Sequence, residues 1–93
     1  MKPRWLSIAS ADLENLYHYI AQDNPAAAVK EVEKVLDAAG GLAEMPAVGR
    51  PGRVPDTREL LVSKYVIAYR VRDGQVEILR VLHQAQRWPE TFG

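Results

Sequence analysis

Asp73-Gly74 constrains this chain more than any other pair of residues. It separates Tyr65–Arg72 from Gln75–His83, two runs rich in β-branched and aromatic residues. An Asp-Gly pair in that setting specifies a two-residue type I′ turn, because both central positions need positive φ. The pair therefore predicts an antiparallel hairpin in which Arg72 faces Gln75. Counting back along both strands places Tyr69 opposite Ile78, Val71 opposite Val76, Ile67 opposite Arg80 and Tyr65 opposite Leu82 on one face. The other face pairs Ala68 with Leu79, Val66 with Val81, Lys64 with His83 and Arg70 with Glu77, the last an expected cross-strand ion pair. Both faces are mostly apolar. One can pack on helices, and the other is expected to lie open, as a docking surface would. A bulge would shift this register by one residue.

The rest of the chain supplies the helices and a further strand. Pro3–Ile8 reads as a short first strand, and Ser10 as the cap of a helix with Asp12 in its first turn. Leu13, Leu16, Tyr17 and Ile20 fall at i, i+3, i+4 and i+7, which makes one apolar stripe. Asn24-Pro25 combines a capping side chain with proline at the first position of a second helix. That helix carries Ala28, Val32, Val35, Leu36, Ala39 and Leu42, is weakened at Gly40-Gly41 and is closed by Pro46. Two helices joined so tightly form an antiparallel hairpin. Gly49–Pro55 is a turn-rich connector in which no regular element is expected, and Arg58–Val62 then reads as a strand. The expected fold class is α+β. A strand and a helical hairpin precede a three-stranded antiparallel meander, forming one sheet packed on the helices.

Ninety-three residues make one domain, 1–93, with a core thin enough that a partner could carry part of its stability. There is no cysteine, which excludes disulfides and thiolate metal sites. The apolar patch Trp5–Ala9 is too short for a signal peptide or a membrane span, so a cytoplasmic protein with no membrane contact is expected. Twelve bases balance twelve acids, whereas a protein held to nucleic acid mainly through phosphates is expected to be basic. The balance hides an asymmetry. Before Gly49, Asp12, Glu14, Asp23, Glu31, Glu33, Asp37 and Glu44 outweigh the bases. From Arg50 onward, Arg50, Arg53, Arg58, Lys64, Arg70, Arg72, Arg80 and Arg87 lead.

The strand–helix–helix opening, Gly49-Arg50-Pro51-Gly52, Arg58-Glu59-Leu60, Tyr65–Arg70, Val76–His83 and Arg87-Trp88-Pro89 together resemble the RelE/ParE superfamily of toxins. The resemblance covers essentially the whole chain. It implies the toxin of a type II toxin–antitoxin module of the plasmid stabilisation type, inhibiting growth until a cognate antitoxin wraps an amphipathic segment around it. It also implies one of two targets. ParE-like members poison DNA gyrase, whereas RelE-like members cut mRNA on the ribosome. The nucleases place arginine directly after the tyrosine that opens the third strand, where this chain has Val66. Trp88 cannot act as acid or base. Gyrase poisoning is therefore the preferred reading, the ribosome-dependent endoribonuclease the alternative, and a non-toxic, antitoxin-binding regulatory partner a third. No cofactor is implied.

A nuclease would need an acid–base set, and His83, Arg58 and Glu59 are the candidates. The plain reading of His83 is a hydrogen-bonded residue at a strand end. Target contact falls to Arg50, Arg53, Arg58, Arg87 and Trp88, although the arginines also suit a solvated loop and Trp88-Pro89 a plug at the end of the core. Antitoxin contact falls to Leu13, Tyr17, Val66, Ala68, Arg70, Leu79, Arg80 and Val81. Among these Arg80 is the charged member of an apolar face, placed to snorkel at the sheet edge or to grip a partner carboxylate. Tyr17, Tyr65 and Tyr69 sit at core spacing. Gly49 and Gly52 are turn formers without the lysine and serine of a phosphate loop. His18 and His83 have no ligand spacing, so no metal is expected. Apolar surface near Trp5 would equally allow a homodimer.

Overall fold

A computed structural model of the chain describes residues 2–89. Its elements are β1 (Arg4–Trp5), α1 (Ser7–Ala21), α2 (Pro25–Gly41), β2 (Arg50–Pro51), β3 (Arg58–Val62), β4 (Tyr65–Arg72) and β5 (Gln75–His83). The five strands form one sheet in the order β1-β5-β4-β3-β2. β1 runs parallel to β5, and every other pairing is antiparallel. The α1–α2 hairpin covers one face, so the architecture is the expected α+β one.

The three long strands and their turn follow the sequence pattern. Asp73 and Gly74 both take positive φ, 52° and 75°, as a type I′ turn requires. The register runs as expected from Arg72–Gln75 to Tyr69–Ile78 and then slips. Leu79 is the extra residue of a bulge, after which Ala68 faces Arg80, Ile67 faces Val81, Val66 faces Leu82 and Tyr65 faces His83. The slip has a clear physical consequence. In the unbroken register Arg80 would share the core-facing side with Ile67. The bulge puts Val81 there instead, in the cluster formed by Ile67, Tyr69, Ile78, Val35, Ala39 and Leu42.

Arg80, turned aside, meets Asp12 of α1. Its Nε donates to Oδ2 at 2.7 Å and its Nη2 to Oδ1 at 3.1 Å, while the Val81 N–H donates to Oδ2 at 3.0 Å. The clasp explains why α1 departs from expectation. β1 is only two residues long, because the Leu6 N–H closes on the Ile78 carbonyl (3.1 Å) and the chain turns at once into the helix. Leu6 is the N-cap without a capping side chain, and Ser10 lies inside the helix rather than at its start. Asp12 thus sits beyond the first turn, where it binds the sheet instead of the helix dipole. It also protects an edge. Beyond β1 no described strand pairs with the outer side of β5. Its outward N–H groups are taken by Asp12 at Val81 and by Gln86 Oε1 at His83 (3.1 Å).

α2 starts as expected, with Asn24 Oδ1 accepting from the Ala27 N–H at 3.1 Å ahead of Pro25. The connector differs. Arg50–Pro51 pairs with Arg58–Glu59 as a short edge strand, a place where proline is tolerated. The same segment is pinned from behind. The Gly49 N–H donates to the Tyr69 hydroxyl (2.9 Å), which donates to the Pro46 carbonyl (2.8 Å). A side chain at Gly49 would collide with the Tyr69 ring, so this glycine serves close approach as well as turning.

The outer face of the sheet is not the open surface expected. Val66, Ala68, Leu79 and Leu82 are each at most 2 % exposed. Glu77 on this face bonds Arg70 Nε at 2.7 Å and Arg4 Nη1 at 3.4 Å, which realises the expected cross-strand pair.

Two outcomes follow from these carboxylates. Asp12→Ala strands Arg80 and leaves the Val81 N–H unpaired, and is expected to lower stability by about 3 kcal/mol, read as the shift of a urea midpoint at constant slope. The Arg70 hydrogen bond, with the charges of Arg70, Arg4 and Arg72, holds the Glu77 carboxyl below the ordinary carboxylate range against the opposing effect of burial. A depressed native pKa gives stability that is fully present above the unfolded value of ~4.3 and is lost as pH falls below it. Glu77→Gln is therefore expected to flatten the acid limb of a stability–pH curve and leave its shape near neutrality unchanged.

Candidate functional site

The sequence-derived site residues divide between two ends of the sheet. At the β2 end, Glu59 is a buried carboxylate surrounded by arginines. Arg50 Nη2 reaches Oε1 at 3.2 Å, the Arg53 N–H donates to Oε2 at 2.8 Å, and Arg53 Nε lies 3.4 Å from the same oxygen. β3 forces this arrangement, since Glu59 pairs with Ala68 and therefore points away from the helices, opposite in sense to its neighbour Leu60. The Arg53 guanidinium lies 3.7 Å over the Trp88 ring. This cation–π stack fastens the C-terminal segment to the Glu59 end of the sheet. Arg58 is turned inward, its Nη1 donating to the Gly49 and Ala47 carbonyls at 2.7 and 3.4 Å. Arg50, Arg53 and Trp88 form one cluster, with Arg58 bracing the loop behind it and Arg87 exposed on the approach to Trp88.

His83 is at the other end. The Ala85 N–H donates to its Nδ1 at 3.0 Å. The neutral ring therefore carries its proton on Nε2, and its outward nitrogen is a donor rather than a base. The ring stands edge-on to Tyr65, with centroids 5.4 Å apart and planes at 88°. Both line a recess of about 600 Å3 with Asn15, Leu16, Tyr19, Gln86 and the Asp12 clasp. Burial, followed by the Glu31 and Tyr19 charges, raises the Tyr65 pKa, so its hydroxyl keeps its proton at neutral pH.

The proposed acid–base set does not assemble in the chain alone. His83 is joined across the sheet through Tyr65 to Val62. Val62 lies four residues along β3 from Arg58, a span of about 13 Å at the usual rise of a strand. Glu59 is also spent on arginines facing away from the helices. Among the described residues no three His, Asp or Glu side chains gather as a metal site.

The residues expected to meet an antitoxin also separate. Leu13 and Tyr17 join Trp5, Val32 and Leu36 along an open apolar groove of about 430 Å3 between the helices. Val66, Ala68, Leu79 and Val81 are buried within the chain. Arg70 and Arg80 already hold the chain's own Glu77 and Asp12. Sequence reasoning gave Arg80 a carboxylate to grip but missed which one, because nothing local links two residues 68 positions apart. It also missed Asn15, Tyr19 and Gln86, which converge on His83 only through the packing of α1 against β5.

The family model for the ParE toxin of type II toxin–antitoxin systems matches residues 4–88. The chain belongs to this family. It is 46% identical over 91 residues to toxin Y4kP of Sinorhizobium fredii, covering 96% of this chain and 94% of that protein. It is 39% identical to toxin RelE2 of Caulobacter vibrioides over 82 residues, covering 88% of this chain and 93% of that one. A chain of the chromosomal ParDE system from P. aeruginosa superposes with a TM-score of 0.78 at 30% identity, over 89% of this chain and 95% of the other. A chain of the RelBE2 toxin–antitoxin complex from Mycobacterium tuberculosis gives 0.66 at 29% identity, over 89% and 96%. The family supports the toxin role expected from the sequence, and both branches of the superfamily are represented among these similarities. Among the described residues, no helix is long and apolar enough to cross a membrane.

The Glu59 cluster yields a direct test. Glu59→Ala leaves the Arg53 N–H without its acceptor and two half-exposed arginines without their shared carboxylate, and is expected to cost about 1–3 kcal/mol of stability. The loosened Arg53–Trp88 stack should appear as altered tryptophan emission at denaturant concentrations where the fold is intact.

Proposed function

We propose that this chain inhibits growth by binding DNA gyrase as a non-enzymatic poison, and that a cognate antitoxin neutralises it. The observation that carries this reading is the scattering of His83, Arg58 and Glu59. General acid–base catalysis needs its groups within hydrogen-bond reach of one reacting centre. Here each candidate is already bonded within the fold, and His83 presents a donor where a general base would need a lone pair. What remains exposed is a binding surface. Arg50, Arg53 stacked on Trp88, and the exposed Arg87 next to it in the chain offer the arginine and aromatic chemistry that dominates protein contacts. The groove lined by Leu13 and Tyr17 is the antitoxin surface in this reading. Of the other residues expected to meet an antitoxin, only Arg70 and Arg80 retain partial exposure.

Purified toxin is expected to inhibit supercoiling by DNA gyrase or to trap its cleaved complex with DNA, and the antitoxin to restore activity. In cells, DNA synthesis should fall before translation within minutes of induction. Unaffected gyrase at large toxin excess would overturn the proposal. His83→Ala discriminates the ribosomal alternative, which the similarity to toxin RelE2 supports. It should leave toxicity within about twofold if the protein acts on gyrase, and abolish it if the protein cuts mRNA.

A further inference from the structure

The outward side of the sheet near its hairpin turn plays no part in the reading above, yet arginines outnumber acids there. β1, β5 and β4 lie side by side, and their register sets Arg4 against Glu77 and Glu77 against Arg70. The two arginines therefore flank one carboxylate, about 10 Å apart across two strand spacings. Arg72 stands two residues beyond Arg70 on the same side, about 6.8 Å along β4.

Glu77 does not saturate this cluster. Its Oε1 takes only Nε of Arg70, at 2.7 Å, and its Oε2 takes Nη1 of Arg4, at 3.4 Å. The Arg70 hydrogen bond, with the charges of Arg70, Arg4 and Arg72, lowers the Glu77 pKa, so Arg72 acts on the same carboxyl. Arg72 itself takes no ion pair among the described residues, not even from Asp73, its neighbour in the turn. The Glu77 side chain is 8% exposed, against 63% for Arg4 and 24% for Arg70, and Arg72 is exposed as well. The negative charge is held below the surface while the guanidinium forks reach solvent with most of their N–H groups unused.

An occupant must bring carboxylates or phosphates to these forks. Phosphate backbones are held chiefly by accumulated positive charge. This chain has zero net charge, and Asp73 closes the end of the patch. Arginine–carboxylate contacts are local and need no such field. Acidic side chains at alternate positions of an extended segment repeat at about 6.8 Å, the spacing of Arg70 and Arg72. We propose that Arg4, Arg70 and Arg72 form a docking site for an extended acidic segment of a partner protein. The site lies on the opposite side of the sheet from the groove lined by Leu13 and Tyr17. It stands or falls independently of the gyrase reading.

The test is fluorescence anisotropy of the full chain with a labelled octapeptide of alternating glutamate and threonine, and with its glutamine counterpart. The glutamate peptide is expected to bind, more weakly as salt is raised, and the glutamine peptide not to bind. Arg4→Ala and Arg72→Ala remove side chains that face solvent, and each should weaken binding roughly 2- to 5-fold. Lys30→Ala, which removes an exposed cation of α2, should leave it unchanged. No binding of the glutamate peptide at millimolar protein would overturn the proposal, as would binding that ignores the Arg4→Ala, Arg72→Ala double variant. Equal weakening by Lys30→Ala would reduce the effect to overall charge and overturn it too. Tighter, Arg72-dependent binding of a thymidylate octamer at the same salt would replace the acidic segment with a phosphate backbone.

Discussion

One carboxylate holds the two layers of this fold in register. Asp12 projects from α1 onto the free edge of β5, where it takes both arms of Arg80 and the Val81 amide. Those bonds depend on the Leu79 bulge, because without it Arg80 would face the apolar interior and Val81 would face outward. The bulge depends in turn on the hairpin turn, which fixes the register from Arg72–Gln75 onward and leaves Leu79 as the extra residue. The position of α1 is thus set by a chain of constraints beginning at Asp73-Gly74. The His83 recess and the helical groove inherit their shapes from it.

The same pairing of a largely buried acid with arginine recurs across the molecule. Asp12 holds Arg80, Glu59 holds Arg50 and Arg53, and Glu77 holds Arg70 and Arg4. Each carboxylate is more buried than its arginines, so the negative charge is hidden and the cations reach outward. A chain with zero net charge can therefore present a locally basic surface from Arg50 onward. Arginine suits this task better than lysine, since its planar fork can satisfy a carboxylate and still stack on an aromatic ring, as Arg53 does on Trp88.

Much of the fold was legible because its strongest signals are local. β3, β4 and β5 occupy the expected residues. Alternation at period two, bounded by Asp73-Gly74 and Ser63-Lys64, is a short-range code. Asn24-Pro25 marks the start of α2 for the same reason. What was not legible depends on contacts distant in sequence. β2 exists because Arg50 and Pro51 find β3 as a template, and Gly49-Arg50-Pro51-Gly52 alone carries no strand pattern. Ser10 has the composition of a cap, but α1 begins earlier because Leu6 is held by Ile78. The outer face of the sheet reads as open because alternation shows which residues share a face and not what covers it.

The site was less legible than the fold, for a related reason. Sequence reasoning grouped His83, Arg58 and Glu59 by chemical type, whereas the sheet assigns them by strand position and side-chain parity. Neighbours on β3 such as Arg58 and Glu59 necessarily point to opposite faces, so they cannot cooperate across one small substrate without rearrangement. A family that serves different targets on one fold must therefore vary what stands at a few parity-related positions. Val66 lies on the outward parity and is buried beside Leu82. An arginine there would need a carboxylate partner or a route to solvent, as every other arginine on this sheet has found. With valine in place no cation stands at that position, and Val66 lies buried across from Leu82 instead.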